Sequence, residues 1–64
     1  MVIVGENIRR LREKRQIPQN VLAESVGVSP AMICQIERGT KNPSLQVGKE
    51  IADVLDCDIE KLLE

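Results

Sequence analysis

Apolar residues recur along this chain at spacings of three and four, the signature of short amphipathic helices. Ile8 and Leu11 stand one turn apart among Arg9, Arg10, Glu13 and Lys14. That pattern predicts a first helix from Gly5 or Glu6 to Arg15 with a charged outer face. Leu22 and Val26, with Ala23 beside them, predict a second helix opened by Pro18 and reaching about Ser25. Ile33 and Ile36 predict a third, from about Pro30 to Arg38. Leu45, Ile51, Ala52 and Leu55 predict a fourth over about Leu45 to Leu55, with all four turned inward, and Ile59, Leu62 and Leu63 predict a short fifth. Val2-Ile3-Val4 is a brief apolar run ahead of the helices. It reads first as an extended lead-in over the core and second as a strand paired across a dimer.

The punctuation between these segments is specific. Gly27 falls where the chain must reverse, with the positive φ that glycine adopts at least cost. Ser29 offers a side-chain oxygen to cap the next helix, and Pro30 suits its first turn. Gly39 stops that helix, Thr40 to Pro43 form a loop, Ser44 caps the fourth helix and Asp58 the last. Pro18 presets the backbone angle of a first helical residue. Gly48 inside the fourth helix costs about 1 kcal/mol relative to Ala, which a close helix crossing there explains. Two short helices about a tight turn, with the small Ala23 at their crossing, make a helix-turn-helix over about 18–38. The chain is read as one all-α domain, 1–64, of five helices and essentially no sheet.

Arg12, Gln19-x-x-Leu22-Ala23, Gly27-Val28-Ser29, Ile33, Ile36-Glu37-Arg38-Gly39 and Asn42-Pro43-Ser44 occur in order and at characteristic spacing. In this the chain resembles the XRE family of lambda-repressor-like DNA-binding domains over about residues 5–63. It departs at Pro18, where the family usually carries a Ser or Thr cap. The resemblance implies a five-helix lambda-repressor-like fold whose third helix enters a DNA major groove. It also implies that Gln19 clamps the sugar-phosphate backbone, and that Arg12 and Glu37 form a partly buried ion pair tying the first helix to the third.

On a helical wheel of the third helix, Ser29, Ile33 and Ile36 face the core, whereas Ala31, Cys34, Gln35 and Arg38 face away and Met32 lies on the flank. In a helix-turn-helix the outward face meets base edges. Gln35 is the leading base reader, because its amide matches the donor–acceptor edge of adenine. Ala31, Met32 and Cys34 offer small or soft apolar surface to a thymine methyl. With so few polar readers, sequence preference leans on A·T-rich steps and DNA shape. Gln19, at the start of the second helix, is placed for a phosphate. Arg38, Lys41 and Asn42 are expected on the backbone, where contacts position without reading sequence. Arg9, Arg10 and Lys14 are exposed on the first helix, part of their charge merely solvated.

Composition narrows the function further. The 64 residues contain no Phe, Trp or Tyr, so aromatic stacking of single-stranded bases is excluded. Net charge is −1, but residues 1–49 carry +4 and residues 50–64 carry −5. That polarity orients a domain on a polyanion. Cys34 and Cys57 lie far apart and there is no His, which argues against a metal site and for reduced thiols in a cytoplasm. An oxidisable thiol at Cys34 on the reading face is a weaker alternative to a small apolar filler. Nothing resembles a signal peptide or membrane span. No nucleophile–base pair or phosphate-cradling Gly loop points to an enzyme or a cofactor. The expectation is a transcriptional regulator, a repressor acting by occupancy, that binds double-stranded DNA as a homodimer. The last helix with Val2-Ile3-Val4 is the expected dimer surface. Two alternatives stand beside it: an antitoxin-type DNA-binding protein with a protein partner, and a helix-turn-helix used only for protein interaction.

Overall fold

A computed structural model describes residues 3–63. Its elements follow in the order α1 (Gly5–Lys14), α2 (Gln19–Val26), α3 (Pro30–Arg38), α4 (Leu45–Val54) and a closing 3₁₀ turn (Ile59–Leu62). The fifth helical segment is thus 3₁₀ rather than α. Among the described residues the sole extended pairing is an isolated antiparallel bridge between Ile3 and Leu63. Val4 N–H donates to the Leu62 carbonyl at 2.7 Å and Asn7 Nδ2 to the Leu63 carbonyl at 3.1 Å. The lead-in therefore closes onto the same chain's carboxy-terminal end. Val2, the other apolar residue of that run, lies outside the described residues.

The core is aliphatic throughout. Ile8, Leu22, Ala23, Val26, Ile33, Ile36, Ile51, Ala52, Leu55 and Leu62 are buried, drawn from every element. Burial of a Leu or Ile side chain contributes about 1.5–3 kcal/mol, and seven of these ten core positions are Leu or Ile. Gly5 is buried where α1 crosses α3, and a Cβ there would run into the backbone of Ile36 and Glu37. This, and not Gly48, is the close helix crossing. A Cβ on Gly48 would instead meet the Ile3 side chain, which lies over α4.

Three further expectations need correction. Leu45 is 53% exposed, because the inward stripe of α4 is Val47, Gly48, Ile51 and Ala52. Pro18 is the N-cap of α2 rather than its first residue, with φ −65° and ψ 154°. Asp58 holds the N-cap position of the last turn but its side chain makes no capping hydrogen bond.

Candidate nucleic-acid interface

The helix-turn-helix is fixed by its caps. At the end of α2, Gly27 has φ 75°, and Val28 N–H closes back to the Ala23 carbonyl at 3.0 Å, the six-to-one bond of a Schellman stop. Ser29 Oγ then accepts from Met32 N–H at 3.1 Å, with Pro30 in the first turn of α3. Gly39, φ 82°, ends α3 in the same manner. Ile33 and Ile36 are buried, which fixes the rotation of α3 about its axis.

The opposite face of α3 is open. Ala31, Gln35 and Arg38 are exposed, and Cys34 and Met32 are half-buried, Met32 resting against the edge of the core. Lys41 and Asn42 follow in an exposed loop. That loop is held to α3 by one acceptor: the Gln35 carbonyl takes Thr40 N–H at 3.0 Å, Lys41 N–H at 3.3 Å and Thr40 Oγ1 at 3.1 Å. The sequence placed Lys41 near the reading helix; the anchoring by Gln35's backbone was not visible in it.

Arg12, Gln19 and Glu37 form one network beneath this face. Arg12 Nε donates to Glu37 Oε2 at 2.7 Å and Nη2 to Oε1 at 3.2 Å, while Nη1 donates to the Ile17 carbonyl at 2.8 Å. The Arg12 and Glu37 side chains are only 11% and 3% exposed. The hydrogen bond to Glu37 raises the Arg12 pKa above its already high ordinary value, against the opposing effect of burial, so Arg12 is a permanent cation. Gln19 Nε2 donates to Glu37 Oε1 at 2.9 Å, a contact sequence reasoning missed because it joins residues eighteen apart. The bond orients the Gln19 side chain beside α3. Pro18 supplies no side-chain cap, so the amides of Gln19 and Asn20, at the start of α2, remain for an outside acceptor.

Among the described residues no group of three or more His, Cys, Asp or Glu is arranged to hold a metal ion, and no helix is long and apolar enough to cross a membrane.

A helix-turn-helix family model, HTH_3, matches residues 8–62. The chain is 32% identical to the HTH-type transcriptional regulator SinR of Bacillus subtilis over 63 residues, covering 97% of this chain and 57% of SinR. It therefore spans little more than half of that relative. Among solved structures, the P22 c2 repressor in complex with a synthetic operator superposes with a TM-score of 0.90 at 34% identity, covering 100% of this chain and 97% of that one. SinR in complex with DNA superposes with a TM-score of 0.85 at 33% identity, covering 94% and 100%.

Proposed function

The chain belongs to the helix-turn-helix family HTH_3, in its lambda-repressor-like XRE branch, and on that premise we propose that it is a transcriptional regulator that binds double-stranded DNA sequence-specifically. The P22 c2 repressor and SinR, both similar over most of this chain, have been solved on DNA. The observation that carries the reading is the outer face of α3, exposed at Ala31, Gln35 and Arg38 while Ile33 and Ile36 lock its other side into the core.

Gln35 reads an adenine edge, and Ala31, Met32 and Cys34 meet thymine methyls. Gln19, Arg38, Lys41 and Asn42 hold the phosphates on either side. Arg12 and Glu37 are scaffold. Two copies bind one operator, and repression follows from occupancy of the site.

Binding to duplexes selected from a random pool, measured across salt concentrations, tests this. A dimer contacting about three to five phosphates per subunit gives a log–log salt slope of about −5 to −9. Absence of binding to any pooled duplex at low salt would favour a helix-turn-helix used for protein interaction instead.

A further inference from the structure

Beside the outer face of α3 a cleft of about 380 Å³ opens between three helices, lined by Arg9, Gln19, Cys34, Glu37 and Arg38. The partners of these groups determine its charge. The Glu37 carboxylate is taken up by Arg12 and Gln19, so it brings no free negative charge. Arg38 has no side-chain hydrogen bond or ion pair among the described residues. Arg9 reaches Glu13 only in an exposed contact one turn along, at 3.5 Å, a class of pair that contributes little. Two arginines from different helices therefore line one cavity, and the same two line the adjoining hollow against Gly5 and Gly39, where Glu6 joins them.

We propose that Arg9 and Arg38 together grip one phosphodiester of duplex DNA, so that α1 contacts the backbone alongside the helix-turn-helix. The proposal rests on the DNA-binding reading above. An arginine fork matches phosphate oxygens in pairs, and two forks suit one anionic group. The cleft is continuous with the reading face: Cys34 and Arg38 stand one turn apart on the outside of α3 and both line it.

The test compares Arg9→Gln, Arg9→Lys and Arg10→Gln with the parent. Arg10 is the control: it neighbours Arg9, lines no part of this cleft, and its Nη2 is bonded to Asn7 Oδ1 at 2.6 Å. Arg9 and Arg10 are both exposed, so the folds survive, which circular dichroism verifies. Arg9→Gln is expected to weaken all duplexes alike and to reduce the salt slope by about one for each contact removed, hence about two per dimer. Arg10→Gln is expected to change the slope by less than half as much. Arg9→Lys is expected to keep the slope while losing affinity, since it keeps the charge and loses the fork. Equal slope changes in Arg9→Gln and Arg10→Gln would reduce Arg9 to diffuse charge and overturn the clamp alone. A parent that binds no duplex would overturn the DNA reading itself. In a separate arm, inorganic phosphate is added at matched ionic strength. A saturating shift of the Arg9 and Arg38 Nε–H resonances that duplex cannot reverse would make the cleft a free-anion site and also overturn the proposal.

Discussion

At the scale of single residues the domain turns on Glu37. One buried carboxylate accepts from Arg12 twice and from Gln19 once, so α1, α2 and α3 are all tied to it. A buried ion pair contributes little over an apolar substitute, but removing one partner strands the other. Glu37→Ala is therefore expected to cost about 3–5 kcal/mol. Against a typical stability of about 5–15 kcal/mol, with small domains at the low end, that shows as a large fall in the thermal midpoint by circular dichroism. Glu37→Gln keeps an acceptor and loses less, and the double variant Arg12→Met, Glu37→Met is expected to regain much of the loss. A double variant no better than Glu37→Ala would refute this account. Cys57 gives a pH-dependent prediction. Burial pushes its thiol up, with Asp58 and Asp56 adding to the effect and Arg15 and Lys61 opposing it. The fold thus favours the neutral thiol. The sign follows: this contribution to stability is present below the ordinary thiol range and is lost as pH rises through the raised value. Alkylation of Cys57 against pH is expected to have a higher midpoint in the folded chain than in urea, and equal midpoints would contradict the assignment.

At the scale of elements, what was legible in the sequence was what the backbone encodes locally. The bounds of α3 follow from Ser29, Pro30 and Gly39, residues whose cap and turn chemistry is independent of the rest of the fold. Ser29→Ala is expected to cost about 1 kcal/mol, read as a drop in the urea midpoint without a change in slope. Leu45 was misread because periodicity gives an angle around a helix and not a depth along it; its stripe is right, but the core ends before it. Gln16 and Asp56 take φ 58° and 53°, left-handed turns with no glycine to announce them. The reversal there is imposed by packing of the flanking elements, and Arg15 Nη2 donates to the Asp56 carbonyl at 3.4 Å across the same seam. Left-handed backbone costs a non-glycine residue about 1–2 kcal/mol, part of which glycine returns as unfolded-state entropy. Gln16→Gly is expected to stabilise by about 0.5–1 kcal/mol on that balance, whereas Gly27→Ala is expected to destabilise by a similar amount. The Gln19 bond to Glu37 and the cleft shared by Arg9 and Arg38 were illegible for another reason. Each joins side chains from separate helices, and no local pattern specifies that distance.

At the scale of the whole molecule, size constrains the mode of binding. The domain measures 25 × 22 × 18 Å, whereas successive major-groove faces on one side of a duplex lie roughly 34 Å apart. One copy therefore reaches one half-site, and two copies are needed for an operator of two. The described parts of the apolar ends do not advertise where the copies meet: Leu62 is buried and Ile3 lies over Gly48. Binding is thus expected to be cooperative in protein concentration, with protected sequences related by two-fold symmetry. On such an operator Gln35→Ala and Lys41→Ala are expected to act differently. Gln35 stands exposed on α3, and a bidentate contact to a base contributes about 1–3 kcal/mol of discrimination. Its loss is expected to relax preference at one base position, and at the symmetry-related position of the other half-site, with non-specific affinity nearly intact. Lys41 lies in the loop held by the Gln35 carbonyl and is expected to meet phosphate alone. Its loss is expected to weaken every sequence alike and to lower the slope by about one for each contact removed, hence about two per dimer. Both side chains are exposed, so neither variant is expected to unfold. Titration of each against the selected operator and its single-base variants, at several salt concentrations, separates the two effects. A Gln35→Ala variant that weakens all sequences uniformly would move base reading to Ala31, Met32 and the shape of the duplex.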